Sequence, residues 1–376
     1  MAQTKPKLIL APMATLSHAA LRNAIYKFGG CDEYYCEMIH ATSLVAGGQF
    51  EKYYIMQNPE PEKIVWQLTD STQEPILKAS KIVAELGGIG IDINMGCPAP
   101  EIAKHGAGIA WMSKPLCETG KMLEKINDIL KNSQTSCQRL SVKCRLGEEN
   151  FTSETFFNFI EMLISSGTEQ IVLHPRTRKQ KYSRNANWAY VRKLCDYVNS
   201  KGAKISIVGN GDIKDVESAH CALQKAPDVS GLMLGRYAVQ KPWLFSQIAK
   251  SFSQGPASAP NATSPEPTTR AQSPATVPNA TSPEPTTRAQ GPATAPNATT
   301  LDLLEFCREF LADLEAFQPR EFWKTRTQRF FVYFCDNFSF AHYLKTKMLN
   351  AQSHTEQLQI LEQYFEQMRQ ERFIKI

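Results

Sequence analysis

Two short stretches decide the fold: Ser-Ile-Val-Gly-Asn-Gly-Asp-Ile at residues 206–213 and Gly-Leu-Met-Leu-Gly-Arg-Tyr at residues 231–237. Each is a brief apolar run that ends in glycine and a polar side chain, the pattern of a buried parallel strand giving way to a loop. Glycines there let backbone N–H groups approach a phosphate closely, and Arg236 adds a charged donor of fixed geometry. Phosphate-binding loops after the last two strands are the usual anion site of a (β/α)₈ barrel. A phosphorylated cofactor and a phosphorylated substrate both satisfy that reading.

Working outward, these stretches close a series of eight runs: Lys7–Met13, Glu33–Met38, Lys63–Leu68, Gly90–Cys97, Leu140–Leu146, Gln170–Arg176, Ile205–Gly211 and Gly231–Arg236. Helix-like segments such as Pro75–Leu86 and Glu118–Leu130 lie between most of them, with apolar residues at three- and four-residue spacing. The interval between the second and third runs is less regular. Eight units over roughly 250 residues is the size of a (β/α)₈ TIM barrel. A doubly wound sheet also alternates strand and helix, but it rarely needs eight strands.

A barrel enzyme builds its site at the C-terminal ends of its strands. Those ends hold Ala11-Pro12-Met13, Gln67, Asn94-Met95-Gly96-Cys97-Pro98, Lys143 and Arg145, His174 and Arg176, Asn210-Gly211-Asp212, and Gly235-Arg236. Lys143 and His174 point to the barrel mouth; a lysine there can stabilise negative charge on a reduced flavin. Taken alone, Lys143 reads as a salt-bridge partner and His174 as a satisfied core histidine. Beside a phosphate site, function is the better reading of both. Cys97 sits between Gly96 and Pro98, where a thiol gains little from packing and can act as nucleophile or proton donor. No triad is evident to activate it as a nucleophile, so acid is the better role.

The whole chain has 376 residues, 42% hydrophobic and 21% charged, with a formal net charge of +5. Residues 1–251 carry +6, compatible with an anionic partner. The ten cysteines form no CxxC pair and no Cys/His cluster at zinc spacing, so we expect reduced cytoplasmic thiols and no metal. No segment approaches the roughly 20 apolar residues of a membrane span. Lys5 and Lys7 before Leu8–Leu16 superficially suggest a signal peptide, but Pro12 interrupts that short run and it reads better as the first strand.

Three regions are expected. Residues 1–252 form the barrel. In 253–300 a thirteen-residue unit begins at Pro260 and again at Pro278, with a third copy started at Pro296, and almost no side chain there is large enough to bury. We read this as a disordered low-complexity linker, and its Asn-Ala-Thr sequons as by-products of the repeat. Residues 301–376 read as an all-α helical bundle: Leu301–Phe317, Phe322–Phe334, Ala341–Leu349 and His354–Arg369. Lys324, Arg326 and Arg329 fall on a stretch with interleaved aromatics. A basic face of that kind suits phosphate contact, although a solvated face over an aromatic core accounts for most of the pattern.

Five motifs then become specific: Asp-Ile-Asn-Met-Gly-Cys-Pro-Ala-Pro (92–100), Ser-Val-Lys-Cys-Arg-Leu-Gly (141–147), His-Pro-Arg-Thr-Arg-Lys-Gln-Lys-Tyr-Ser (174–183), Val-Gly-Asn-Gly-Asp-Ile (208–213) and Leu-Gly-Arg-Tyr-Ala-Val-Gln-Lys-Pro-Trp-Leu-Phe (234–245). Together they resemble the motifs of the tRNA-dihydrouridine synthases, in that family's order. Ser17-His18, Pro175 and Tyr237 depart from the residues the family usually carries there.

The resemblance implies FMN held by Pro12, Met13, Ala14, Gln67, Lys143, His174, Asn210, Gly211, Asp212, Gly235 and Arg236. It makes Cys97 the proton donor to C5 of a tRNA uridine, after hydride transfer from the flavin to C6. NADPH or NADH is the implied reductant. Asn94, Met95, Arg176 and Arg178 are the implied uridine contacts, and Lys324, Arg326 and Arg329 the implied tRNA contacts of the tail. We expect a cytoplasmic monomer with no membrane contact. Another FMN barrel oxidoreductase, such as a dihydroorotate dehydrogenase, leaves the basic tail unexplained. An RNA-binding protein on a retired barrel leaves Cys97 and the flavin residues unexplained.

Overall fold

A computed structural model of the chain describes residues 5–147, 152–253 and 300–376. Its strands stand where the eight runs were read: β1 (Lys7–Leu10), β2 (Glu33–Tyr35), β3 (Ile64–Thr69), β4 (Gly90–Met95), β5 (Arg139–Arg145), β6 (Gln170–His174), β7 (Ser206–Asn210) and β8 (Gly231–Leu234). Every neighbouring pair is parallel. β8 returns to β1 through Lys7↔Gly231 to Leu10↔Leu234, and β2 meets β3 at Tyr34↔Ile64, so the sheet closes into a barrel. Strands with both faces covered are mostly apolar, and β3 and β4 are buried at every position, including the polar Gln67, Thr69, Asp92 and Asn94. Most strands stop short of the sequence runs because Ala11–Met13, Gly96-Cys97, Gly211 and Gly235-Arg236 have left the ladder. Those residues form the loops of the barrel mouth.

Helices α1 (Ala19–Tyr26), α2 (Gln73–Ala84), α3 (Leu116–Asn132), α4 (Ser153–Ser165), α5 (Trp188–Ser200), α6 (Val216–Lys225) and α7 (Leu244–Ser253) follow every barrel strand except β2. After β2 the chain makes a two-residue strand, Ile39-His40, beside the end of β3, then two single-turn helices. This is the interval where the sequence periodicity is irregular.

Beyond the segment 253–300, all but the ends of which lies outside the described residues, come α8 (Leu303–Phe317), α9 (Arg320–Phe334), α10 (Ala341–Asn350) and α11 (His354–Gln367). Asp302 caps α8 by accepting from Leu304 and Glu305 N–H, and Pro319 precedes the first turn of α9. A short antiparallel pair, β9 (Thr300–Asp302) with β10 (Phe373–Lys375), clasps the two ends of this region and was not foreseen. The aromatics form its core: Phe310 stacks on Phe330 at 3.8 Å between centroids and Phe306 on Phe334 at 5.5 Å. Such pairs are worth about 0.5–1.5 kcal/mol each beyond burial. Phe306 also meets Phe28 and Trp243, which joins this core to that of the barrel. α8 packs on α1, and α9 packs on the short helix Arg236–Gln240. The helical region therefore overhangs the C-terminal mouth of the barrel. Among the described residues, no helix is long and apolar enough to cross a membrane.

Candidate active site

The barrel interior prepares the site from below. Gln170 Nε2 donates to Tyr35 Oη, which lies 3.3 Å from Ser141 Oγ, and Ser141 donates to Asp92 at 2.8 Å. Gln67 Nε2 donates to the other Asp92 oxygen at 2.7 Å, while Gln67 Oε1 accepts from Asn94 Nδ2 at 2.9 Å. Burial pushes the Asp92 carboxyl up to about 6, opposed by those hydrogen bonds. The chain ends at Asn94 Oδ1, which accepts from Gly96 N–H at 3.2 Å and Cys97 N–H at 3.0 Å. Asn94 thus fixes the turn that carries the thiol. From above, Ile109 N–H donates to Cys97 O, and Gly108 lies so close that an added Cβ would stand 2.7 Å from that oxygen. With φ at +59°, position 108 also favours glycine for its backbone alone.

Over this floor opens a cavity of about 470 Å³, within the usual range of roughly 300–1,000 Å³ for small-molecule sites. Pro12, Met13 and Ala14 wall it after β1, Asn94 on β4 and Cys97 just after it, and Lys143 on β5. His174 and Arg176 follow on the β6 side, Asn210 at the end of β7 with Gly211 and Asp212 after it, and Gly235 and Arg236 after β8. Residues expected from all five motifs, and from the end of β1, therefore line one cavity. Arg329 reaches the same cavity from α9.

The electrostatics are one-sided. Six cationic side chains line the cavity (Lys143, Arg145, Arg176, Lys181, Arg236 and Arg329) against one carboxylate, Asp212. That carboxylate is taken: Arg176 Nη2 donates to both its oxygens at 2.8 and 2.6 Å, and Ala186 N–H donates to it as well. Burial works to raise the Asp212 carboxyl, but these hydrogen bonds hold it below its ordinary value. Arg176 Nη1 also lies 3.0 Å from His174 Nε2. A guanidinium only donates, so Nε2 carries the lone pair and the ring proton sits on Nδ1. Burial, followed by the charges of Arg145 and Lys143, holds His174 well below its usual pKa, in agreement with a neutral ring. Lys143 is pushed down to about 8, by burial first and then by Arg145. Among the described residues no carboxylate pairs with Lys143, Arg145 or Arg236; the Arg236 guanidinium instead stacks 3.9 Å over the exposed Tyr182 ring.

Five expected contact residues do not line the cavity. Gln67 is fully buried below it, with both ends of its amide engaged by Asp92 and Asn94. Met95 belongs to the apolar core outside the barrel, because alternation along β4 turns it away from Asn94. Arg326 cannot meet RNA phosphate. It is 2% exposed and ion-paired at 2.6 Å with Glu37, itself 2% exposed. Arg178 is half-buried outside the cavity wall, and Lys324 is exposed on α9. Conversely, Met38, Lys181, Tyr182, Tyr237 and Tyr333 line the cavity without having been expected there, and Arg145, placed at a strand end but given no role, lines it too. Arg145 had a signal in the sequence, since it stands two residues after Lys143 on one strand and so shares its face. Tyr333 had none. Its place depends on how α9 docks on the barrel.

Comparison with known proteins agrees with this geometry. A family model described as "Dihydrouridine synthase (Dus)" matches residues 9–276. A probable tRNA-dihydrouridine synthase of Rickettsia typhi is 33% identical over 250 residues, 66% of this chain and 72% of that protein. One of Aquifex aeolicus is 31% identical, over 65% of this chain and 73% of that protein. The tRNA-dihydrouridine(47) synthase [NAD(P)(+)]-like protein of Rattus norvegicus is 31% identical over 64% of this chain, but only 36% of its own length is matched. Among solved structures, an old yellow enzyme homologue of Zymomonas mobilis covers 67% of this chain and 90% of its own, at 12% identity and a TM-score of 0.45. The match over most of the barrel, with the thiol and the cationic wall in one cavity, identifies the chain as an enzyme of the dihydrouridine synthase family.

Proposed function

We propose that this enzyme reduces a uridine in tRNA to 5,6-dihydrouridine, with FMN as its cofactor and NADPH or NADH as reductant. The observation that carries the reading is that the Cys97 thiol shares one cavity with six cationic side chains, of which Lys143, Arg145 and Arg236 have no ion-paired carboxylate among the described residues. Such a wall suits a phosphate-bearing ligand, and Gly235 leaves room at its edge, since an added Cβ there would meet only Ala11 and Met13 at 3.7 Å. Arg236 and the Asn210–Asp212 loop would hold the phosphate, Lys143 and His174 the ring system, and Pro12, Met13 and Ala14 its flank. When bound there, FMN supplies the hydride for C6 of the uracil.

The chain's own residues do the rest. The uracil must leave the RNA stack to enter so deep a cavity. Cys97 then delivers its thiol proton to C5, and solvent restores the thiol. The turn held by Asn94 and Gly108 keeps that proton at one place on the wall. Arg176, locked to Asp212 and His174, is available as a rigid edge for the base. The helical region, with Lys324 exposed and Arg329 at the cavity rim, would bind the tRNA around it.

Cys97→Ala tests this. Flavin uptake and flavin reduction by NADPH should persist, while dihydrouridine formation should fall by about 10²–10⁴, the usual weight of a general acid. Loss of both half-reactions together would make Cys97 structural. Unchanged turnover on tRNA would refute its role outright.

A further inference from the structure

The loop that flanks the cavity after β1 has an unusual centre. Pro12, Met13, Ala14 and Leu16 face the cavity, whereas Thr15 turns away with φ at +64°. A β-branched residue in left-handed backbone is an outlier that persists only where its surroundings enforce it. Part of the loop is closed locally: Ser17 Oγ accepts from Met13 N–H, and Met13 O accepts from Leu16 and Ser17 N–H. Thr15 has no such local partner. Its N–H donates to Glu37 Oε1 at 2.6 Å.

Glu37 is itself held from the other side. Its second oxygen accepts from Arg326 Nη1 at 2.6 Å, and both side chains are 2% exposed. Arg326 comes from α9, in the helical region, and its guanidinium lies 4.9 Å from the centre of the Phe322 ring and 5.7 Å from that of Tyr54. The other buried cation nearby, Arg22, donates to the carbonyls of Ser17, Met56 and Asn58 and makes no hydrogen bond to Glu37. Among the described residues Arg326 is therefore the cation hydrogen-bonded to the buried Glu37 carboxylate, with the Arg22 charge nearby but not bonded to it. Without Arg326 the carboxylate is left buried with no hydrogen-bonded cation and must swing toward another donor, which withdraws the acceptor from Thr15.

We propose that Arg326 is a positioning residue for the cofactor: through Glu37 and Thr15, docking of the C-terminal helices sets the shape of the loop that flanks FMN. The inference rests on the reading of the cavity as an FMN site. It makes the helical region part of cofactor retention as well as of RNA contact.

The test is FMN affinity of the apo-protein, read by flavin fluorescence, with melting temperatures of apo- and holo-protein alongside. Arg326→Met should weaken FMN binding by about tenfold and narrow the gap between the two melting temperatures. The double variant Arg326→Met/Glu37→Gln should regain most of the affinity, because the introduced amide oxygen still accepts from Thr15 and needs no cation. A purely structural role predicts instead equal losses in both melting temperatures, unchanged FMN affinity and no rescue, and that pattern overturns the proposal. Should Arg326→Met not fold, Glu37→Gln and Glu37→Leu ask the same question: only the second removes the acceptor, so only the second should lose FMN. Equal affinities in that pair overturn it too. Wild-type protein that takes up no FMN defeats the functional reading first, and this inference with it.

Discussion

The two ends of the barrel treat charge in opposite ways. At the N-terminal end, Glu33 is fully buried, yet Arg139 donates to both its oxygens at 2.7 Å and Lys7 to one at 2.9 Å. Burial would raise the Glu33 carboxyl, but these cations hold it below its ordinary value. At the C-terminal end, Lys143, Arg145 and Arg236 crowd one cavity, and among the described residues none of them is ion-paired to a carboxylate. The first arrangement is closed and can only stabilise. The second is open, and its cations repel one another until something anionic arrives. The contrast separates structural from functional charge without reference to any relative.

Breaking the closed end should give the largest effect. Arg139→Ala leaves a buried carboxylate with only the half-exposed Lys7, and should cost about 3–5 kcal/mol of stability in urea unfolding. FMN affinity of the protein that remains folded should not change. Breaking the open end should do the reverse. Arg236→Ala should weaken FMN binding by about 1.5–3 kcal/mol, roughly ten- to a hundredfold, as expected for hydrogen bonds to a charged group. The apo-protein should be no less stable than wild type. If Arg236→Ala destabilises the apo-protein as strongly as Arg139→Ala, the two ends are not different in kind.

Much of this contrast was legible in the sequence, and the illegible part has a common cause. The eight strands, and the polar residues at their ends, follow from local pattern, because the strands of a closed parallel barrel are buried on both faces and therefore mostly apolar. Cys97, Lys143, His174, Asn210 and Arg236 were found that way. Gln67 sits at a strand end too, but the ladder stops above it, and one residue of depth separates a cavity wall from the layer beneath. Met95 was taken with its motif, although period-two alternation already turned it outward. Arg326 was read from a basic stretch, and only the docking of α9 over Glu37, beyond the end of β2, shows that it is buried. Tyr333 lies beyond sequence reasoning for the same reason. Local periodicity gives the faces of an element; it does not give the partner that covers them.

The subtlest expected effect concerns the protonation of Lys143. In the apo-protein it gives up its proton near pH 8, whereas an unfolded lysine does so near roughly 10.4. Between those values the unfolded chain binds more protons than the folded one, so stability should rise with pH across that window. Below pH 8 the cost of holding the ammonium among Arg145 and the barrel wall is present in full. Lys143→Met should therefore be more stable than wild type near about pH 7, and the two should converge as pH climbs toward about 10. Urea midpoints of both apo-proteins across that range measure the convergence directly. A bound anion should favour the ammonium and move its titration back up, so the same experiment on FMN-loaded wild type should show a flatter rise. Parallel curves for wild type and Lys143→Met without FMN would mean that water or a neighbour already satisfies the ammonium. The open end of the barrel would then carry one fewer unanswered charge than the contrast requires.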